Sequence, residues 1–361
     1  MSRKMKDKLT QGAVYASAGF TVLILVVIIG FIVIKGAPGI NLHFLTSGYE
    51  DKTTYVTLAL GVPADAVKAG EVPELGVTLH EDEAGELAVT GITSDSPLKT
   101  GVNPKGESYP VKKGDQITKA ENVDQNTLKL KVVRPGGGIV PMVVTTMYMI
   151  GLSLFIAAPI SIMAAIYLIE YAKPGRLMST IHFAIENLAG IPSIIYGLFG
   201  SLFFVKVCQL QYSILAGALT VSIILLPTII TTTEESLKAV PKTYRESSLG
   251  LGATRLQTIT KVVLPNALPG ILVAVLLSIG RIVGESAALL LTAGTVAQIP
   301  GALFGNSASG ATLTIKMYTL MKEENDLTTA CAIGIVLLVI IIAINFASKM
   351  VTKKLLQKKG A

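Results

Sequence analysis

Charged side chains are scarce in this sequence, at 15% of 361 residues, and tryptophan is absent altogether. A soluble chain of this length needs more charge to cover its surface. Here 51% of residues are apolar and mean hydropathy is +0.60, which points to the membrane. Cysteine is equally scarce. Cys208 and Cys331 sit in or beside apolar runs and read as small buried hydrophobes, with no disulfide or metal framework implied. The chain has no G-x-x-x-x-G-K-[ST] segment, so it does not itself hydrolyse ATP. A zinc protease is excluded as well: the only His-Glu, His80-Glu81, is followed by Asp82, Glu83 and Ala84, and H-E-x-x-H is not completed.

The charge that is present is unevenly spread. Of the 24 acidic residues, 14 lie between Glu50 and Asp124, which sets one polar block apart from a remainder poor in charge. The net charge of +7 is not a nucleic-acid footprint, because the lysines gather at the ends of apolar runs. Arg3, Lys4, Lys6 and Lys8 precede one run, and Lys349, Lys353, Lys354, Lys358 and Lys359 follow another. Such flanks fix the orientation of a membrane protein.

A helix needs about 20 apolar residues to cross the hydrocarbon core. Six stretches qualify: 12–34, a part of 139–169 with Pro159 as an expected kink, about 177–205, about 212–232, about 268–293, and 327–348. The first is uncharged from Gln11 to Ile34 and has no clean small-residue cleavage site after it, so it is expected to be retained rather than removed as a signal. With a basic amino terminus inside, six spans return the carboxyl terminus to the cytoplasm. The tails and the connections 170–176 and 234–261 then carry 16 Lys or Arg, against Lys206, Lys316 and Lys322 in the short outer connections. The polar block, about 36–134, falls on the outer face. It alternates like strands in Leu87–Ile92 and Leu128–Val133.

The most specific signal is Glu246-Ser-Ser-Leu-Gly-Leu-Gly252, nine further residues, then Val262-Val-Leu264-Pro265. It resembles the EAA motif of ABC-importer permeases, E-A-A-x3-G, nine residues, I-x-L-P. Glu246, Gly252, Leu264 and Pro265 fall in register; Ser247 and Ser248 replace alanines and Val262 an isoleucine. The resemblance implies a short helix, a turn at the glycine and a second helix, docked in a cleft of a separate ATPase. Small residues at 247 and 248 suit close approach to a partner. Gly252 permits positive φ, and Pro265 and Pro269 are expected to restart the chain at the next membrane helix.

Arg281 and Glu285 sit in the fifth apolar stretch, four residues apart and so expected on one helix face. Arg281-Ile-Val-Gly-Glu285-Ser-Ala-Ala-Leu-Leu-Leu-Thr-Ala293 is similar to the R-x-x-G-E-T-A-P-L-L-x-T-A signature of PstA-type phosphate permeases. Gly190-Ile-Pro-Ser-Ile-Ile-Tyr-Gly-Leu-Phe-Gly200 is similar to their G-V-P-S-I-V-Y-G-L-F-G segment. Ser286 and Ala288 depart from that signature, where threonine and proline are usual. The resemblance implies that Arg281 and Glu285 matter for phosphate passage, arginine as the anion contact and glutamate as its orienting or balancing group. His182 and Glu186, also four apart, form a second intramembrane pair that reads either as an interhelical hydrogen bond or as a substrate or proton group.

Within the polar block, Glu74-Leu-Gly-Val77, Ser94-Asp-Ser-Pro-Leu-Lys-Thr-Gly101 and Val111-Lys-Lys-Gly-Asp-Gln-Ile117 resemble pieces of a bacterial PDZ domain. The resemblance implies that the amides of Leu75, Gly76 and Val77 take a peptide carboxylate; a folded spacer is the other reading. Phosphate permeases ordinarily have a much shorter segment here.

The expected fold is an all-α membrane bundle of six transmembrane helices, an ABC-importer permease fold, with a small mainly-β PDZ-like extracellular insert. Its expected parts are 1–35, the insert 36–138, and a permease core 139–361 with a cytoplasmic coupling loop 233–265. The resemblance implies a bacterial cytoplasmic-membrane location with both termini inside. The implied partners are a PstC-like second permease, a PstB-like ATPase dimer that binds ATP and magnesium, a PstS-like phosphate-binding protein and membrane lipid. This chain itself is expected to bind no cofactor. The rival functions are a sulfate or molybdate permease, which shares the EAA loop but not the Arg281–Glu285 signature, and a membrane-anchored peptide-binding or signalling protein, which leaves that loop unexplained.

Overall fold

The computed structural model describes residues 3–49, 52–58, 67, 75–81, 87–102, 108–111, 114–124, 127–134, 136–303, 305 and 308–357. The chain divides into two compact units, one formed by His43–Val140 and the other by Met1–Leu42 with Pro141–Ala361.

The smaller unit is a five-stranded antiparallel sheet of β1 (Lys52–Leu58), β2 (Val77–Glu81), β3 (Leu87–Ile92), β4 (Gln116–Asp124) and β5 (Thr127–Arg134), in the order β1-β5-β4-β3-β2. Both alternating runs singled out in the sequence are strands. Their inward positions, Val89, Leu128, Leu130 and Val132, join Val56, Leu75, Leu98 and Ile117 in one apolar core. Among the described residues β2 is an edge strand. It is entered through Gly76 at φ +58, a left-handed conformation that glycine adopts without steric cost. The carbonyls of this entry turn are pinned: Thr93 donates to Gly76 O through its amide at 2.9 Å and its hydroxyl at 3.0 Å, and Ser96 Oγ donates to Leu75 O at 2.6 Å. Glu74 lies outside the described residues.

The larger unit is helical: α1 (Arg3–Gly36), α2 (Val140–Ile166), α3 (Arg176–Gly190), α4 (Ser193–Gly200), α5 (Ile214–Lys238), α6 (Lys242–Gly250), α7 (Arg255–Thr258), α8 (Leu264–Gly284), α9 (Ala287–Leu290), α10 (Leu313–Thr319) and α11 (Leu327–Gln357). Among the described residues five segments are long and apolar enough to cross a membrane: Gln11–Gly39, Val140–Tyr171, Ile214–Lys238, Arg255–Gly284 and Leu327–Ala347. The expected third span is not a straight helix. α3 and the segment that begins with α4 meet at 97°, and they count as a sixth crossing only if taken together. The bend has a local cause. Pro192 disfavours helical backbone at Ile191, which is extended with ψ 129°. Tyr196 reaches back across the bend to donate to the Leu188 carbonyl at 2.7 Å, which also accepts from Ile191 N at 3.3 Å.

α5 is the most enclosed span, with 67% of its apolar window buried. α2 lays a four-residue repeat of mostly small side chains against the core, Thr145, Met149, Ser153, Ala157, Ser161 and Ala165. Ser222 Oγ of α5 donates to Ser153 O at 3.1 Å, so the helix backbones come close. Glycine sets two further crossings. A Cβ on Gly36 would lie 2.5 Å from the Cys331 carbonyl carbon of α11, and one on Gly197 would lie 2.8 Å from Ala288 Cα.

α2 continues as helix through Pro159. One sequence expectation about proline needs correction. Pro265 does not restart the chain, because helix runs from Arg255 to Gly284 through a π turn at Ile259–Val263. A proline inside a helix lacks its N–H and crowds the carbonyl four residues back. The wider turn just before Pro265 relieves both demands.

Candidate functional sites

The motif from Glu246 to Pro265 forms a helical hairpin. α6 carries Glu246, Ser247 and Ser248, the turn is made at Gly252 with φ +83, and α7 follows. Thr254 opens α7 with a capping box, accepting from Gln257 N at 3.2 Å while its own amide donates to Gln257 Oε1 at 2.9 Å. The two serines face different ways. Ser248 Oγ bonds Thr258 Oγ1 at 2.9 Å and holds the hairpin closed, whereas Ser247 and Glu246 are exposed. Leu264 and Pro265 are half-buried where the hairpin joins α8, and Leu264 packs against the core formed by α2, α5 and α8. Apolar side chains protrude from the hairpin: Leu251 is 90% exposed and Leu256 62%. Glu246 also lines a cavity of about 470 Å³ together with Glu170, Lys238, Lys242, Arg245 and Arg255.

That cavity holds a feature the sequence did not reveal. Glu170 is buried at the end of α2, on a π turn Tyr167–Tyr171, and its Oε1 accepts from Arg245 Nε at 3.0 Å and Nη2 at 2.8 Å. Arg245 also donates to the carbonyls of Leu237 at 2.9 Å and Val240 at 2.8 Å, at the end of α5 and just beyond it. Arg255 donates to the Glu170 carbonyl and lies over the Tyr171 ring, 5.1 Å from its centroid. A pairing 75 residues apart leaves no spacing signal. Each partner alone reads as an ordinary charge flanking an apolar run.

Arg281 and Glu285 do not share a helix face. α8 ends at Gly284 and Glu285 is extended, at ψ 123°, so the four-residue helical spacing does not apply. The cause is local: Glu285 Oε1 accepts from Ala288 N at 3.1 Å and caps α9, a side-chain bond that competes with continued helix. The Glu285 backbone carbonyl accepts from Thr314 Oγ1 of α10 at 3.0 Å. Arg281 is exposed and Nη1 donates to Thr228 Oγ1 of α5 at 3.0 Å; among the described residues it enters no ion pair. The structure therefore brings Arg281 together with Thr228 and commits the Glu285 carboxylate elsewhere.

His182 and Glu186 are likewise separated in role. His182 Nε2 meets Glu234 Oε2 of α5 at 3.1 Å, and Lys238 Nζ reaches the same oxygen at 3.1 Å. Glu186 is exposed. Lys316, placed by the sequence in an outer connection, is a buried residue of α10 that donates to Glu324 Oε1 at 2.5 Å. In the smaller unit Leu75 is fully buried, and Gly76 and Val77 are half-buried at the mouth of β2.

Residues 157–357 match the family described as binding-protein-dependent transport system inner membrane component. Among curated relatives, the phosphate transport system permease protein PstA of Pasteurella multocida is 35% identical over 228 residues, 59% of this chain and 77% of that protein. PstA 1 of Mycobacterium tuberculosis is 34% identical over 218 residues, 60% of this chain and 70% of that protein. The probable ABC transporter permease YqgI of Bacillus subtilis is 36% identical over 168 residues, 46% of this chain. The chain spans 57% of YqgI and 29% of the PstA homologue of Mycoplasma pneumoniae. Among solved structures, the MetNI methionine ABC transporter in inward-facing form is 20% identical, with a TM-score of 0.47 over 60% of this chain and 94% of that one.

Proposed function

This chain belongs to the family of binding-protein-dependent transport system inner membrane components, and from that premise we propose that it is the permease subunit of an ATP-driven importer of inorganic phosphate. One observation carries the choice of anion. Arg281 stands at the end of a membrane helix, exposed and without a carboxylate partner among the described residues. A guanidinium in hydrocarbon costs about 2.5–3.5 kcal/mol at a helix centre and less toward a helix end. Glu285 is engaged as a helix cap and does not offset that cost. A cation left open in this way suits an anionic cargo, and the planar fork of arginine matches phosphate oxygens. Thr228 holds one arm of the fork. The relatives named for phosphate transport support the same choice.

The remaining parts take complementary roles. The hairpin of α6 and α7 docks the ATPase, with Glu246, Ser247 and the exposed Leu251 and Leu256 on its free surface and Gly252 setting its turn. Ser248, Leu264 and Pro265 shape the hairpin and its junction with α8. This chain and a second, PstC-like permease form the path, a PstB-like pair of ATPase subunits binds ATP and magnesium, and a PstS-like protein delivers phosphate. Both termini lie in the cytoplasm of a bacterial cell, as the lysine and arginine distribution supports. The unit His43–Val140 is a PDZ-like outer domain. Its edge strand β2, with pinned carbonyls at Leu75 and Gly76, suits addition of an extended peptide whose carboxylate meets the amides of Leu75, Gly76 and Val77.

The test is uptake of labelled phosphate by the reconstituted complex carrying Arg281→Gln or Arg281→Lys. The proposal expects a fall of at least about tenfold for glutamine and partial activity for lysine, which keeps charge but not the fork. Wild-type uptake by Arg281→Gln at equal assembly would contradict it.

A further inference from the structure

We propose that Glu170 and Arg245 form the joint through which movement of α6 reaches α2 and α5, so that Arg245 is a positioning residue for coupled transport. The inference rests on the docking role assigned above to α6. One guanidinium makes four hydrogen bonds here: two to Glu170 Oε1 at 3.0 and 2.8 Å, one to Leu237 O at 2.9 Å and one to Val240 O at 2.8 Å. Leu237 lies in the last turn of α5, where carbonyls lack helical partners and a cation is favoured by the helix dipole. Glu170 closes the end of α2. Arg245 therefore ties the hairpin to the ends of two membrane helices.

The second arm of the hairpin is anchored at the same residue. Arg255, at the start of α7, donates to the Glu170 carbonyl and stacks on Tyr171. Both arms thus converge on the end of α2, while Tyr244, Leu249 and Leu251 stay exposed. A link of three residues, 239–241, joins α5 to α6. Arg245 bridges that link from one side to the other, so a displacement of α6 is passed on rather than absorbed. The hydrogen bonds are charge-assisted and shielded, with side-chain exposures of 19% for Arg245 and 8% for Glu170, and such bonds are the stronger kind.

The test uses the full transporter in proteoliposomes, with its ATPase and binding protein, and reads anion taken up per ATP hydrolysed. Copurification of the ATPase serves as the assembly check. Lysine at 245 keeps the charge but cannot serve a carboxylate and two carbonyls together. Arg245→Lys should lower the ratio at least about fivefold, and Glu170→Ala at least about tenfold. Glu170→Gln, which keeps an acceptor oxygen, should fall between Glu170→Ala and wild type. That graded recovery is what a joint requires. A wild-type ratio in Arg245→Lys or in Glu170→Ala overturns the proposal. Failure of Arg245→Lys to assemble also overturns it, because the pair is then a folding element. A wild-type complex that moves another anion in place of phosphate counts against the proposed substrate alone, and the joint is then read with that anion.

Discussion

Glu285→Ala and Glu285→Gln separate two roles for a carboxylate beside the proposed anion contact. In the structure Glu285 is 9% exposed and accepts from Ala288 N at 3.1 Å. Alanine removes that acceptor. Loss of a cap costs about 0.5–2 kcal/mol, and a hydrogen bond to a charged group contributes about 1.5–3 kcal/mol; the two describe one bond and are not summed. A loss of about 2 kcal/mol corresponds to a fall of roughly 4–8 °C in Tm for a helical unit of this size. Glutamine keeps an oxygen at the same reach, so its loss should stay near about 1 kcal/mol, or roughly 2–4 °C. Thermal melting of the purified permease in detergent reads the first effect, and labelled-phosphate uptake in proteoliposomes reads the second. If Glu285 acts by holding the break between α8 and α9, uptake should follow stability: Glu285→Gln within about threefold of wild type and Glu285→Ala at least about tenfold lower. A glutamine variant as stable as wild type but as inactive as alanine would refute this reasoning and place the negative charge itself in the transport step.

Three further outcomes follow from other sites. Gly252 sits at φ +83, where a side chain costs about 1–2 kcal/mol; Gly252→Val should distort the hairpin turn, weaken copurification of the ATPase and reduce ATP-driven uptake, and unaltered values of both would contradict the docking role. Asp326 caps α11, accepting from Thr329 N at 3.0 Å, and hydrogen bonds from the Thr329 side chain first, then the amides of Thr329 and Thr328, hold its carboxyl below the ordinary range despite partial burial. A depressed carboxyl contributes stability that is present above its unfolded pKa and is lost as pH falls through the folded one. The Tm advantage of wild type over Asp326→Ala should therefore persist at neutral pH and shrink only in acid below the normal carboxylate range; an advantage unchanged across that acid range would count against it. His182→Ala removes the contact that joins α3 to Glu234; it should destabilise the detergent-solubilised unit by about 1 kcal/mol, whereas Glu186→Ala, at an exposed position, should leave Tm within about 1 °C.

Much of the helical unit was legible because hydrophobic length is a local signal. Five of the six apolar stretches are spans on hydropathy alone, and β3 and β5 follow from alternation in Leu87–Ile92 and Leu128–Val133. The hairpin was expected from the resemblance to the EAA motif, and Gly252 takes the positive φ that its turn was expected to use. What escaped were departures inside apolar runs and contacts across the bundle. Averaged hydropathy does not register the bend at Ile191–Pro192, although the proline that causes it is in plain view. Four-residue spacing implied a shared face for Arg281 and Glu285 only while the helix continued, and a capping carboxylate ends that assumption at Gly284. His182 chose Glu234 over the nearer Glu186, and Glu170 found Arg245 75 residues away. Neither choice is written in spacing, because both depend on how α5 packs against its neighbours.

The measurement that bears most directly on the central claim is anion selectivity in the complete assembly. Proteoliposomes carrying both permeases and the ATPase, supplied with ATP and the binding protein, are given labelled phosphate with about 100-fold excess of sulfate or molybdate. The account predicts ATP-dependent phosphate uptake that neither competitor reduces and that Arg281→Gln abolishes. Accumulation of sulfate or molybdate with no uptake of phosphate would contradict it.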